Sequence, residues 1–250
     1  ISGQGTSSVI VNQSSPSAII NWNTFNVGKN ESVLFNQPSS SAVVLNRVIG
    51  GLGPSEILGT ITANGRVFVI NRDGVLFGAG AVINTAGFLA STADIKNSDF
   101  MAGKYNFSIP GRPDASIVNQ GTITASSGGF AALVAPGVRN SGTISATLGT
   151  VALAAGNTFT LDLYGDRLIT LAVNDQIAGK VIDVATGQPL KSLVTNDGKI
   201  KANGGRVELT AAAARHVVDS VINTSGVIKA NSIGKHNGMI VLSAGTAGSK

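Results

Sequence analysis

The residues that could carry out acid–base, nucleophilic or metal chemistry are few and widely spaced. The chain of 250 residues has no cysteine and two histidines, His216 and His236, and neither histidine lies in a recognisable catalytic or metal-binding motif. Its 13 Asp and Glu residues are scattered, and the best acidic and basic group is Asp162, Asp166 and Arg167. Such a group could serve polysaccharide cleavage, although the tip of a charged hairpin is the simpler explanation. We therefore expect neither an enzyme nor a bound metal or cofactor.

The charge pattern argues against a nucleic-acid partner. The formal net charge is +5, but the basic residues do not form the clustered face that a phosphate backbone requires. The Gly50-Gly51-Leu52-Gly53 stretch lacks the Lys-Ser/Thr of a phosphate-binding loop, so it is read as a turn. The first residue is Ile1 rather than Met, which suggests a trimmed or mature fragment from which any signal peptide has been removed.

One phrase recurs along the chain and predicts the elements that position these residues. It consists of an apolar residue, Asn, one or two small residues, Gly and then alternating apolar positions. Gly121 and Gly142 lie 21 residues apart, and the other intervals between copies are longer, as insertions would make them. The five copies are Val82–Ala90, Ile117–Ala125, Val138–Ala146, Val194–Ala202 and Val221–Ala230.

A unit of about 21 residues is the length that three short strands and their turns require. One such coil cannot bury its apolar side chains alone, so coils must stack to form a continuous core. A second strand follows each phrase after further glycines, such as Gly128-Gly129 and Gly204-Gly205, which we attribute to corners because glycine reaches positive φ at little steric cost. The predicted fold class is all-β, a right-handed parallel β-helix with three sides.

Segments without the phrase predict additions to this coil. Residues 1–250 are taken as one domain, with an N-terminal cap region at residues 1–45 whose core holds Trp22, Phe25 and Phe35, and a β-helix at residues 46–250. Insertions are predicted at about residues 94–114, as a loop or hairpin, and at about residues 157–193. The second contains two alternating apolar runs around Tyr164-Gly165-Asp166-Arg167, which predict an antiparallel hairpin that shields the coil.

Four stretches resemble a known family, the secretion domains of two-partner-secretion exoproteins. They are Asn21–Gly28, Ala42–Val48, Asn64–Gly78 and Ile83–Thr92. The resemblance is nearest to the high-molecular-weight adhesins, which are related to filamentous haemagglutinin. It covers nearly the whole chain and is densest from residue 21 to residue 92.

This resemblance implies a site as well as a fold. The Asn-Pro-Asn-Gly signature of the family stands here as Asn71-Arg72-Asp73-Gly74, and Asn46-Arg47 matches the Asn-Arg pair of the branch. Asp and Gly suit the third and fourth positions of a type I turn, so we favour a turn-forming role for Asn71–Gly74 over direct partner binding.

The resemblance also implies a partner and a location. The domain would cross the periplasm unfolded, be recognised by the POTRA domains of an outer-membrane TpsB-type transporter, and fold as a monomer at the bacterial cell surface. The full-length protein could then meet host or matrix glycan or protein receptors. Two other functions stay open at this point, a carbohydrate-active β-helix enzyme and a glycan-binding adhesin module.

Overall fold

The computed structural model describes residues 1–165, 168–171, 177–213 and 218–246. Within these residues there are 23 strands and one short helix. The first elements are Ser8–Asn12 (β1), Ser17–Trp22 (β2), Ser32–Asn36 (β3), Val43–Val48 (β4), Ser55–Ile57 (β5), Thr60–Ala63 (β6), Arg66–Ile70 (β7), Val75–Phe77 (β8), Val82–Ser91 (β9), Asn97–Met101 (α1) and Asn106–Phe107 (β10). They are followed by Ser116–Asn119 (β11), Thr122–Ala135 (β12), Gly137–Asn140 (β13), Thr143–Ala146 (β14), Thr150–Ala155 (β15), Phe159–Leu161 (β16), Ile169–Leu171 (β17), Ser192–Asn196 (β18), Lys199–Lys201 (β19), Arg206–Ala213 (β20), Ser220–Asn223 (β21), Val227–Lys229 (β22) and Met239–Thr246 (β23).

The strands stack into three long faces. Face A has the order β1-β3-β6-β9-β12-β14-β19-β22, and face C has the order β5-β8-β11-β13-β18-β21. Face B runs β2-β4-β7-β9-β12-β15-β20-β23, because β9 and β12 each turn a corner and serve both face A and face B. Every pairing along these faces is parallel, which confirms the predicted parallel β-helix.

A column of aliphatic side chains fills the interior along the axis. On face A the register aligns Ile61, Ile83, Ile123, Ile144 and Ile200, each fully buried. β-branched side chains pack well against identical neighbours on the pleated surface of a strand. The core therefore extends from coil to coil, as the repeat predicts.

A second core lies on the outer side of face B. Leu45, Phe68, Leu89 and other outward side chains of that face are buried against residues of the two insertions. Strands β10, β16 and β17 form a three-stranded antiparallel sheet, with Phe159 opposite Leu171 and Leu161 opposite Ile169. The predicted hairpin and its shielding role are confirmed, and the insertion around residues 94–114 adds both α1 and a strand to the same sheet.

The later part of the second insertion crosses face C. The amide of Ile182 donates to the carbonyl of Asp114 at 2.9 Å. Gly137 faces Leu190 and Val181 so closely that a Cβ would meet both side chains. Faces B and C thus both carry a covering layer.

Parallel pairing begins earlier than the predicted boundary at residue 46. Strand β1 pairs in parallel with β3, and β2 pairs in parallel with β4. The bridge between Ser2 and Ile10 is antiparallel and lies before these strands. Residues 1–45 therefore contribute strands to faces A and B, because alternate apolar residues such as Val9 and Val11 pack on the same interior column.

The register corrects two of the five copies of the repeat phrase. Asn119, Asn140 and Asn196 align on face C as one ladder. Asn84 instead lies on face A opposite Thr62 and Thr124, and Asn223 aligns with Thr195, one residue away from the ladder. The five copies were aligned by residue type alone, which does not determine the strand register. Strand pairing determines the position of each side chain to a single residue.

The glycines of the phrase serve close stacking rather than positive φ angles. A Cβ on Gly142 would collide with the carbonyl oxygen of Gly121, and Gly198 and Gly226 repeat this contact one coil further on. None of these four glycines has positive φ. Positive φ occurs instead at two of the predicted corner glycines, Gly128 with a φ of 77° and Gly204 with a φ of 68°, so the prediction is confirmed there. At the glycines of the phrase, the backbones of successive coils approach too closely for any side chain.

Candidate functional site

The Asn71-Arg72-Asp73-Gly74 segment forms a tight turn between β7 and β8. The Asp73 amide donates to the Asn71 Oδ1 at 2.9 Å, and the Gly74 amide donates to the Asn71 carbonyl at 3.1 Å. Gly74 has a φ of 115°, a conformation open to glycine at little cost. Asn and Gly at the two ends of this segment are thus required by the backbone itself.

The Asn71 side chain also fastens this turn to the preceding coil. Its Nδ2 donates to the Gly53 carbonyl at 3.0 Å and to the Ser55 Oγ at 3.1 Å. Asn71 is 2% exposed, so its amide is not available to a partner in the folded state. Arg72 is exposed and Asp73 is half-buried.

Asn46 lies in β4 and is fully buried. Its Oδ1 accepts a hydrogen bond from the Trp22 Nε1 at 3.0 Å, and its Nδ2 donates to the Phe68 carbonyl at 3.3 Å. The side chain therefore connects three neighbouring coils. A buried amide with donor and acceptor both in use is a structural feature.

Trp22, Phe25 and Phe35, predicted as the cap core, lie in the first coils. Trp22 is half-buried and its ring centroid lies 5.4 Å from that of Phe25, which is 4% exposed. Phe35 is fully buried and faces Val11 and Ala63 in adjacent coils.

Arg47 points outward from the same strand and joins the coil to the first insertion. Its Nε lies 2.8 Å from the Asp94 Oδ1, and its two terminal nitrogens donate to the Asn97 Oδ1 and the Ile95 carbonyl, each at 2.7 Å. A guanidinium has a planar fork of donors that suits several acceptors at once. The predicted Asn46-Arg47 pair thus holds neighbouring coils together on one side and the insertion on the other.

These two motifs meet at one open cleft of about 450 Å³. Its lining includes Arg47, Arg72, Asp73, Asp94 and Arg112. The amide of Arg112 donates to the carbonyl of Arg72 at 3.0 Å, so the first insertion returns to the turn. The sequence analysis predicted Asn46, Arg47 and Asn71–Gly74 as site residues. It did not predict Asp94 or Arg112 as site residues, because residues of an insertion follow no repeat.

Two ion pairs, Arg47–Asp94 and Arg112–Asp114, lie at the cleft. Arg112 lies 3.1 Å from Asp114 on the surface, and the hydrogen bond and charge of Arg112 lower the pKa of the Asp114 carboxyl. The hydrogen bond to Asp114 likewise raises the pKa of Arg112. Both side chains are exposed, so solvent weakens the pair. Arg47 pairs with Asp94 and Arg112 pairs with Asp114, an arrangement suited to holding loops, whereas Arg72 and Asp73 form no ion pair within the described residues.

A similar ion-pair group on face C was not predicted from the sequence. Arg139 lies 3.0 Å from Asp183 and 3.3 Å from Asp197, and Asp183 is buried. Burial opposes the charge of Arg139, but the two carboxylates outweigh it and raise its pKa. Arg139 thereby ties the second insertion to the coil.

Those residues considered for catalysis that the structure describes do not assemble into a site. The Asp162 carboxylate accepts the amides of Tyr164 and Gly165, each at 2.9 Å, so it shapes the hairpin turn. Asp166, Arg167 and His216 lie outside the described residues, and His236 pairs through its backbone with Ile233 on an exposed turn. In the part of the chain that is described, no group of three His, Asp or Glu residues could hold a metal ion, and no helix has the length and apolarity of a membrane span.

Comparison with known proteins gives consistent relatives. A heme/hemopexin-binding protein of Haemophilus influenzae is 34% identical over 240 residues, and a second protein of that description from the same species is 33% identical over 257 residues. Each alignment covers 94% of this chain, but this chain spans only 25% and 26% of those proteins.

A solved structure and a family model identify the family to which the chain belongs. The crystal structure of the HMW1 secretion domain from Haemophilus influenzae matches with a TM-score of 0.70 and 34% identity, covering 90% of this chain and 56% of that one. The family described as the TPS secretion domain, which is a secretion domain rather than an enzyme, matches residues 1–250. The chain therefore belongs to the family of TPS secretion domains, the secretion segments of two-partner-secretion exoproteins.

Proposed function

We propose that this chain is the segment by which a longer exoprotein is recognised by an outer-membrane transporter of the TpsB type. Recognition takes place in the periplasm, after removal of a signal peptide, and is performed by the POTRA domains of the transporter. The chain then folds at the cell surface and nucleates the β-helix there. Family membership supports the secretion role. The geometry of the two motifs supports recognition of the chain by the transporter while it is still unfolded.

The observation that supports this proposal most strongly is the burial of three motif residues, Asn46, Arg47 and Asn71, in the folded state. Asn46 is fully buried, Asn71 is 2% exposed, and the Arg47 side chain is 11% exposed. A partner that reads these side chains must meet them before the coils close over them. The same residues that mark the chain for export therefore become coil-to-coil fastenings once folding has occurred.

The continuous interior supplies the driving force for folding outside. Each new coil places side chains such as Ile144 and then Ile200 onto the column already formed. Burial of apolar surface contributes about 25 cal/mol per Å², so every added coil stabilises the one below it. The chain has no cysteine, and this folding requires no disulfide.

Binding to purified POTRA domains tests the proposal. The interior substitution Leu133→Asp buries an unpaired charge, so it holds the chain unfolded while leaving both motifs intact. We expect this unfolded chain to bind the cognate POTRA domains more tightly than the folded chain does. Replacing Asn46-Arg47 and Asn71–Gly74 by alanine in the unfolded background is expected to weaken binding.

A control replaces a corner that lies outside both motifs, Ser126-Ser127-Gly128-Gly129, by alanine in the same background. This change is expected to leave binding intact. Equal binding by the motif variant and the control variant would contradict the proposal, as would tighter binding of the folded chain.

The binding activity of the curated relatives is not carried over to this chain. Heme/hemopexin binding belongs to proteins about four times as long, of which this chain matches a quarter. Any host or matrix receptor of the full-length protein is to be sought with that protein. For the chain itself we propose a monomer, which sedimentation analysis can check.

A further inference from the structure

The outer side of face A carries two straight rows of mostly polar side chains. The register defines both rows, with neighbours in adjacent coils about 4.8 Å apart and the two rows about 6.7 Å apart. The first row is Thr60, Val82, Thr122, Thr143, Lys199 and Val227. The second row is Thr62, Asn84, Thr124, Ser145, Lys201 and Lys229. All twelve side chains are exposed or half-buried, in contrast to the buried outer side of face B.

Three lysines concentrate positive charge at one end of these rows. Lys199, Lys201 and Lys229 are all exposed, and Lys201 and Lys229 are register partners in adjacent strands. Like charges directly opposite each other destabilise a sheet. This pair therefore opposes folding, and its presence calls for a reason other than stability.

The three lysines also lack the nearby carboxylate that four of the arginines have. Arg47, Arg112, Arg139 and Arg206 each lie within 4.0 Å of a carboxylate. Among the residues that the structure describes, no carboxylate lies within that distance of Lys199, Lys201 or Lys229. The positive charge at this end of face A is thus available to an external anion.

The hydroxyl groups next to the lysines are available as well. Thr122, Thr124, Thr143 and Ser145 occupy the two preceding coils of the same rows. Within the described residues, their side-chain oxygens have no hydrogen-bond partner. Each hydroxyl can donate one hydrogen bond and accept two, as the hydroxyls of a sugar also can.

We propose that the outer side of face A binds a linear polysaccharide that carries sulfate or carboxylate groups. The anionic groups lie on Lys199, Lys201 and Lys229, and sugar hydroxyls bond to the Thr and Ser side chains of the neighbouring coils. The two rows contain no aromatic side chain on which a nucleic-acid base could stack, so they favour a polysaccharide over a single-stranded nucleic acid. This binding is separate from transporter recognition, since face A contains neither Asn46-Arg47 nor Asn71–Gly74.

Heparin serves as the probe, with the folded 250-residue chain. A variant that combines Lys199→Thr, Lys201→Thr and Lys229→Thr is expected to bind heparin about tenfold more weakly at 0.15 M salt, with a shallower dependence of affinity on salt. The matched control combines Lys96→Thr, Lys104→Thr and Lys180→Thr, all exposed lysines on the insertions. Both variants have the same net charge, since +5 minus 3 gives +2. The control is expected to bind as the parent chain does.

Three outcomes of the heparin experiment would contradict the proposal. Equal losses in both variants would show that net charge alone attracts heparin, and no loss in the face A variant would exclude the lysines. Double-stranded DNA that binds as tightly as heparin, with the same loss in the face A variant, would show a surface for polyanions in general. The face A variant is expected to melt no lower than the parent because its like-charge pair is gone, and the single change Lys229→Thr provides a second test of heparin binding. Secretion by the transporter is expected to be normal in both variants, so the two proposals fail independently.

Discussion

At the scale of single residues, the asparagine ladder inside face C is a buried polar feature shared by successive coils. The Asn119 Nδ2 donates to the Asn140 Oδ1 at 2.8 Å, and the Asn140 Nδ2 donates to the Asn196 Oδ1 at 2.7 Å. All three residues are fully buried, so each amide depends on its neighbour rather than on water. The ladder ends at Asn196, whose Nδ2 has no partner within the described residues.

Asn140→Ala is expected to destabilise the chain by about 2–4 kcal/mol. The change leaves the Asn196 Oδ1 and one N–H of the Asn119 amide buried without partners, while the Asn119 Nδ2 keeps its bond to the Gly121 carbonyl. Each unpaired group costs about 1–3 kcal/mol. Urea unfolding monitored by circular dichroism measures the difference. Asn223→Ala, at an exposed position one residue away from the ladder, is the control and is expected to change stability little; equal effects would contradict the ladder.

Thr224→Asn is expected to stabilise the chain by about 1 kcal/mol or less, the net contribution of one hydrogen bond made from an exposed position. Because Asn223 pairs with Thr195, the next residue, Thr224, lies at the position that stacks on Asn196. An asparagine there can accept from the free Nδ2 of Asn196. The same urea unfolding experiment measures the gain, and Thr224→Gln, whose side chain is one methylene longer, is expected to give less.

Tyr105 gives the insertion a pH dependence at alkaline pH. Burial raises the pKa of its phenol above the ordinary value of 10.0, although the charge of Arg66 partly opposes this. The folded state thus favours the neutral phenol, and its contribution to stability is present below pH 10 and is lost as the pH rises through the raised pKa.

The absorbance titration of a Tyr164→Phe variant isolates this group, because the chain has two tyrosines. The midpoint is expected above 10.0 in the folded chain and near 10.0 in urea. An unchanged midpoint on unfolding would contradict the burial of the phenol.

At the scale of elements, the two insertions form one covering sheet over face B. The rings of Phe107 and Phe159 stack with centroids 4.4 Å apart and an interplanar angle of 5°. Phe107 also lies 6.3 Å from Phe68 on the coil, so the aromatic side chains join sheet and coil. The cover therefore depends on contacts between segments about 50 residues apart in the sequence.

Phe159→Ala is expected to cost about 3–5 kcal/mol, as for other buried aromatic side chains. The loss exposes both insertions, so limited proteolysis is expected to cut around residues 94–114 sooner than in the parent chain. Tyr164→Ala, at an 88% exposed position, is the control and is expected to stay within about 0.5 kcal/mol. Unchanged proteolysis in Phe159→Ala would argue against a joint cover.

The elements show which features the sequence could predict. The coil followed from alternating apolar residues and from the spacing of Gly121 and Gly142, because stacked coils impose local periodicity. The short helix α1 and the sheet partner of β10 could not be predicted, since they depend on a contact with β16 that has no periodic signal. Likewise Arg47 was marked by resemblance, but its partner Asp94 became visible only when the insertion folded back.

At the scale of the whole molecule, burial depends on whether another coil lies above. Leu209 and Leu242 are register partners in β20 and β23, yet Leu209 is fully buried and Leu242 is 56% exposed. Ile240 of the same strand is 47% exposed although its partner Val207 is fully buried. The inward side chains of β23 are thus apolar like those of the core, but only one neighbouring coil, that of β20, packs against them.

Leu209→Ala is expected to destabilise the chain by about 2–5 kcal/mol, whereas Leu242→Ala is expected to cost less than about 1 kcal/mol. The two changes remove the same atoms at the same register position in adjacent coils. Urea unfolding of both variants in parallel provides the measurement. Similar losses would show that Leu242 is covered in solution, for example by a second copy of the chain.

Nearest-neighbour stacking also determines how the molecule opens. Each coil contacts only the coils on either side of it. Local unfolding can therefore begin at an end of the stack and advance one coil at a time. Amide protons at the middle of the stack, around β12 and β15, should then exchange with solvent last, and those of β22 and β23 first. A graded exchange profile along the axis, rather than one rate for the whole chain, is the signature of such a rod.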